Sequence, residues 1–313
     1  MIRLHHRRRN LLRWKYTRRR FDNGFGEGGT GRSVYSVSTT GTVKTLHSFG
    51  GGSDGANPWA GVIAENGTLY GATTAGGGTT SECDFLYGCG TVYSISTSGS
   101  ERVLYRFRAG GGGAVPFGGL INVNGKLYGT TEYGGDDSCN TYGCGVVFTI
   151  STRGEEKVLH SFTAGSDGGY PLAGLINVKG LLYGTTSGGG TYGEGTVYGI
   201  TTTGTEKVLY SFAGGTDGAQ PHAGLIDVNG TLYGTTSAGG GTGCSGSGCG
   251  TVYSVSPTGS EAVLHTFGGS PDGSSPHAGL IDVKGTLYGT TVGGGHPRCT
   301  SYGGCGTVFA LTP

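Results

Sequence analysis

Five side chains occupy one equivalent place along the chain: Trp59, Phe117, Leu172, His222 and His277, each directly after a proline. Aromatic and imidazole rings from neighbouring units can stack on sugar rings, one face apolar and one edge polar. The competing reading is packing between units, which suits Phe117 and Leu172. A metal held by His222 and His277 would need further ligands, and no third one is evident. A second set is acidic: Asp54, Asp167, Asp217 and Asp272, each followed by glycine. Carboxylates in loops can bind calcium. An acid ahead of glycine also bonds its own backbone in a turn. One acid per loop is thin for calcium, so the turn role is the expectation. In the second copy the acid is missing.

The third set is cysteine, in local pairs: Cys83 with Cys89, Cys139 with Cys144, Cys244 with Cys249, and Cys299 with Cys305. No cysteine is left over. Disulfides in an oxidising compartment are the expectation. Loops this short are stabilised by only about 2 kcal/mol each in the chain-entropy model. A zinc site needs four converging ligands, and only His296 lies close to a pair. No metal and no cofactor is expected. The segment 24–29 matches a dinucleotide fingerprint in letters only, since it precedes a strand rather than opening a helix.

These residues are carried by a repeat. The phrase Ala-Gly-Leu-Ile-Asp-Val-Asn-Gly-Thr-Leu-Tyr-Gly-Thr-Thr stands at 223–236, with copies at 60–73, 118–131, 173–186 and 278–291. The anchoring glycines are 58, 55, 50 and 55 residues apart. Such a period marks a repeat architecture. Asn-Gly between apolar runs, as at 66–67, signals a hairpin. Each period reads as four short antiparallel strands, in the order Gly-Leu-Ile-Asp-Val, Leu-Tyr-Gly-Thr-Thr, Thr-Val-Tyr-Ser-Ile and Val-Leu-Tyr-Ser-Phe. The last two are apolar on both faces and must be covered on both. Radial stacking does this, so the expected fold is all-β: a β-propeller of four-stranded blades. Five blades are expected, closed by strand 43–49 pairing outside 307–311, with an incomplete six-bladed ring as the alternative. The tyrosines Tyr70, Tyr128, Tyr183, Tyr233 and Tyr288 are expected in the core.

The chain has 313 residues, 71 of them glycine, and a formal net charge of +1. Residues 1–20 hold eight arginines and Lys15 without an acid, so the rest carries 12 basic against 20 acidic residues. An acidic body is a poor grip for a phosphate backbone, and nucleic acid is an unlikely partner. Residues 1–30 are expected to be a basic, disordered leader, and 31–313 one repeat domain. The start is no ordinary signal peptide, and no stretch of 18 apolar residues exists for a membrane span.

The phrases Gly-Thr-Val-Tyr-Ser-Ile-Ser, Glu-Lys-Val-Leu-Tyr-Ser-Phe and Gly-Thr-Asp-Gly-Ala-Gln-Pro-His-Ala-Gly-Leu-Ile resemble the GloVer tandem repeat, over residues 31–313. The resemblance implies a propeller-like domain outside the cytoplasm, in bacterial proteins often exported or surface-anchored. It transfers no catalytic residue. The functional expectation is an extracellular, non-enzymatic binding or surface-structural module, with an extracellular glycan or a surface protein as partner. Binding is placed on the cysteine-bearing loop face, because variable loops on a rigid scaffold carry function. The alternative is an extracellular glycoside hydrolase or polysaccharide lyase, which needs residues that break the repeat. The clearest breaks are 132–137 and 83–85.

Overall fold

The computed structural model describes residues 11–12, 32–78, 83, 88–135, 139, 141–296 and 304–313. The fingerprint-like segment 24–29, Asp84-Phe85, Asp136-Asp137, Cys299 and the basic segment apart from Leu11–Leu12 lie outside these residues.

The chain is all-β, and the sheets follow one another in sequence. The first holds β1 (Leu11–Leu12), β2 (Ser33–Val37) and β3 (Val43–Ser48). The second is β4 (Ile63–Glu65), β5 (Thr68–Thr73), β6 (Thr91–Ser96) and β7 (Glu101–Arg106). The third is β8 (Ile121–Val123), β9 (Lys126–Thr131), β10 (Val146–Ser151) and β11 (Glu156–Ser161). The fourth runs β12 (Ile176–Val178), β13 (Leu181–Thr186), β14 (Thr196–Thr201) and β15 (Glu206–Ser211). The fifth runs β16 (Ile226–Val228), β17 (Thr231–Thr236), β18 (Thr251–Val255) and β19 (Glu261–Thr266). The last holds β20 (Ile281–Val283), β21 (Thr286–Thr290) and β22 (Val308–Leu311).

The hairpins follow the turn chemistry. Asn66 and Gly67 both have positive φ (48° and 78°), as a two-residue turn matched to strand twist requires. At the next-but-one copy Lys179 is forced into the same region at 52°. The amide of Gly180 donates to Asn177 Oδ1 at 3.0 Å, which helps hold that turn. A bulge recurs at one place on the outer strand of five sheets, where Leu46, Leu104, Leu159, Leu209 or Leu264 is the extra residue, Leu104 lying opposite Val92 and Tyr93 in the second. It bends that strand and increases its local twist.

The core lies between sheets. Tyr93 and Ile95 pack with Val34 and Phe49 of the sheet before, whereas Val92 packs with Val146 and Phe148 of the sheet after. The same layering continues through Phe162 with Tyr198, Phe212 with Tyr253, and Phe267 with Phe309. Each fully buried aromatic or branched side chain contributes about 1.5–3 kcal/mol. The short first strands β4, β8, β12, β16 and β20 touch in that order and form the inner edge. The arrangement is propeller-like, as expected from strands apolar on both faces. Tyr70, Tyr128 and Tyr183 are buried in these layers and Tyr233 is half-buried, as read from sequence; Tyr288 is exposed.

The expected closure is not found. Strand β3 pairs with β2, from Ser33↔Ser48 to Val37↔Val43, and not with β22. A hairpin through 39–42 closes a short loop, whereas pairing with the carboxyl end would close one of more than two hundred residues. Among the described residues six sheets result, two of them three-stranded, where five closed blades were expected, with an incomplete six-bladed ring as the alternative. Among the described residues no buried cluster joins the last sheet to the first. Accordingly Val308 is 79% exposed and Ile281 60% exposed on the last sheet.

Candidate functional site

The loop entering each sheet and the loop between its second and third strands lie on one face of the array. They are bridged by backbone pairs at equivalent places: Ala56↔Ala75, Ala114↔Tyr133, Gly169↔Gly188, Ala219↔Ala238 and Ser274↔Gly293. Beneath four of the five bridges two threonine hydroxyls share a hydrogen bond, as Thr73 and Thr91 do at 2.8 Å; beneath Ala114↔Tyr133 the second position is Val146, whose amide donates to Thr131. Thr73 also donates to the Ala75 carbonyl and accepts from the Thr91 amide, so the buried pair is satisfied. Gly55 lies over this pair. A Cβ there would stand 2.6 Å from Thr73 Oγ1, and φ is +103°. This is the physical reason for glycine after each loop acid.

The acids themselves hold turns. The carboxylates of Asp54, Asp167, Asp217 and Asp272 accept backbone amides four residues earlier, at 2.8, 3.0, 2.7 and 2.9 Å. In the second copy Gly112 takes this place, under the Tyr105 hydroxyl. Three of the acids also accept from an imidazole on the preceding strand: His47, His160 and His265, each at 3.2 Å.

Four of the five post-proline side chains come together in pairs, and Leu172 stands between the two pairs along the chain. The rings of Trp59 and Phe117 are 5.5 Å apart at 30°, and the Arg32 guanidinium lies 4.7 Å from the Trp59 ring. Trp59 is 45% exposed. His222 and His277 meet edge to face at 4.7 Å. Burial lowers both imidazoles, His222 to about 4 with help from its neighbour. Both are therefore neutral near pH 7. The sign for stability is set by the unfolded chain, which takes up the proton first as pH falls below the ordinary imidazole value of 6.5. The contribution of His222 is complete above that pH and is lost on acidification towards about 4. Thermal melts of the wild type and of His222→Asn are expected to converge as pH drops from 7 to 4; parallel curves would refute the assignment.

Disulfides join Cys83–Cys89, Cys139–Cys144 and Cys244–Cys249, with Cα separations of 5.3, 6.0 and 5.2 Å. Cys305 is also disulfide-bonded, and its expected partner Cys299 lies outside the described residues. Cys83 and Cys89 are buried among Val92, Phe107 and Val115, so these bridges belong to the layer between sheets as well as to a loop. Replacing the pair 83/89 by alanines is expected to cost about 2 kcal/mol from loop entropy. A denaturant midpoint unmoved by the change would contradict this.

One recurrent group was not read from the sequence. Each fourth strand opens with a glutamate: Glu101, Glu156, Glu206 and Glu261. Each turns one carboxylate oxygen into the seam with the preceding sheet, where it is buried and has no hydrogen-bond partner among the described residues. The hydroxyls of Tyr93, Tyr198 and Tyr253 are buried there too, likewise unpartnered. Burial and the adjacent loop acid push Glu206 and Glu261 up to about 7. The signal was present in the sequence, a lone acid at one register of an apolar strand.

A model of the Gloeobacter/Verrucomicrobia repeat matches residues 22–247. No curated protein matches the chain. Among solved structures, a gluconolactonase from Xanthomonas campestris is 13% identical over 90% of this chain and 80% of its own, with a TM-score of 0.46. A luciferin-regenerating enzyme is 14% identical, covering 90% and 84%, with a TM-score of 0.48. A glycoside hydrolase family 43 β-1,3-galactosidase is 12% identical, covering 90% and 60%, with a TM-score of 0.43.

Proposed function

Because the chain belongs to the Gloeobacter/Verrucomicrobia repeat family, we propose that residues 31–313 form one binding module, acting outside the cytoplasm on a carbohydrate. The observation that carries this reading is the group Arg32, Trp59 and Phe117 at the inner edge of the loop face. An exposed indole supplies an apolar surface for the C–H face of a sugar, and a guanidinium beside it supplies fixed donors for hydroxyls. The neutral pair His222 and His277, at the equivalent place three sheets further on, offers hydrogen-bonding edges. The acids Asp54, Asp167, Asp217 and Asp272 shape the loops and are not assigned to the ligand. Disulfides on the same face agree with an oxidising location.

The test is a glycan-array screen of the oxidised chain, followed by calorimetry on any hit. Trp59→Ala is expected to weaken binding by roughly 2 kcal/mol, the size of an interfacial tryptophan hot spot. Failure to bind any glycan would overturn the reading. Turnover of a polysaccharide would replace it with the hydrolase or lyase reading.

A further inference from the structure

At the seam between the first two sheets three ligating side chains converge from separate elements. His47 comes from β3, Asp54 from the loop after it, and Glu101 from the start of β7 in the next sheet. His47 Nε2 is 3.2 Å from Asp54 Oδ1, and ligand atoms of all three residues lie within 4.8 Å of one another. A metal with bonds of about 2.0–2.2 Å to nitrogen and oxygen spaces its ligand atoms on this scale. Two carboxylates face each other here, and Glu101 Oε1 is buried without a hydrogen bond among the described residues. Among the described residues the guanidinium that acts on Glu101 belongs to Arg106. It donates to the Ser53 carbonyl at 3.1 Å, and among the described residues it pairs with neither carboxylate.

A second observation points to a missing ligand. The Tyr93 hydroxyl is fully buried, its ring faces the same seam against Phe49 at 4.8 Å, and it has no partner among the described residues. It stands over Gly71 of β5, and burial, with a smaller contribution from Glu101, raises its pKa. Packing alone does not demand this hydroxyl. At the seam whose loop lacks the acid, with Gly112 in its place, the same position is Phe148. Where the set His160, Asp167 and Glu206 recurs, the position is again a tyrosine, Tyr198. The hydroxyl occurs at the three seams that carry both a loop acid and a fourth-strand glutamate; at the last seam, where Asp272 has no such glutamate beside it among the described residues, the position is Phe309.

We propose that His47, Asp54 and Glu101 bind a divalent cation of the Zn²⁺ class, clamping the first sheet to the second. One imidazole and two carboxylates suit such a borderline metal better than an all-oxygen preference like that of calcium. The cation completes the unpaired carboxylate oxygen of Glu101. The site is independent of the carbohydrate reading.

The test is titration of the full oxidised chain with ZnCl₂ by calorimetry, in two buffers of different ionisation enthalpy, with thermal melts in parallel. Saturable binding, proton release and a raised melting temperature are expected. Glu101→Gln should weaken Zn²⁺ binding by about tenfold or more. If that variant fails to fold, His47→Gln is read in its place. The double variant His222→Ala/His277→Ala should keep the binding. Absence of saturable binding, binding indifferent to Glu101→Gln, or binding lost with His222 and His277 would each overturn the proposal.

Discussion

Replacing Tyr198 by alanine is expected to remove about 3–5 kcal/mol of stability, the range for deleting a buried aromatic ring. The ring is fully buried, 5.1 Å from Phe162 of the preceding sheet and directly over Gly184. A Cβ on Gly184 would stand 2.5 Å from the Tyr198 hydroxyl, so the paired strand cannot refill the cavity. Tyr198→Phe is expected to behave in the opposite way. The hydroxyl has no hydrogen-bond partner among the described residues, and losing an unpaired buried polar group is neutral or stabilising. Phe148 and Phe309 already occupy this position in other sheets. Denaturant unfolding of the two variants separates the effects. A phenylalanine variant as unstable as the alanine one would mean that the hydroxyl is bonded, by water or by an ion.

Gly195→Ala is expected to cost about 2–5 kcal/mol. Part is the left-handed backbone, φ +97°, at about 1–2 kcal/mol for a residue with a Cβ. The rest is displacement, at about 1–3 kcal/mol for overpacking. The new Cβ would stand 2.3 Å from the Thr186 carbonyl oxygen and 2.7 Å from Pro221 Cδ. Pro221 precedes His222, so the variant should also move one side of the proposed site. Gly193→Ala is the control: its φ is +82° but nothing lies within 4 Å of the added atom. It should show the backbone cost alone and leave glycan binding unchanged. Equal losses in both variants would show that the contact with Pro221 is soft.

Glu261 offers a test of the seams by pH. Its carboxyl is raised to about 7 by burial and by Asp217. The folded chain then holds a proton that the unfolded chain releases near 4.5. The stabilisation is complete below that value and is lost as pH rises to about 7. Glu261→Gln should match the wild type at pH 4 and melt higher at pH 8. Equal melting at both would refute the shift.

Much of the architecture was legible because its causes are local. Asn66-Gly67 specifies a turn by backbone conformation. Two-faced runs such as Thr-Val-Tyr-Ser-Ile demand cover on both sides. Cysteines five or six residues apart can scarcely avoid each other. The turn role of Asp54 and its equivalents also followed, since the bonded amide is four residues away. Closure was misjudged because strand counting ignores loop entropy. The spare strand 43–49 found its partner across a short turn before the distant carboxyl end could compete.

The sequence by itself determined the repeat, the strand order within each sheet and the residue type at each turn, because these depend on neighbours a few positions away. Only the tertiary structure decided which sheets meet, that Trp59 takes Arg32 over its ring, and that Glu101 reaches His47 and Asp54. Those contacts join residues tens of positions apart, and they follow from the angle and spacing at which buried aromatic layers hold one sheet against the next.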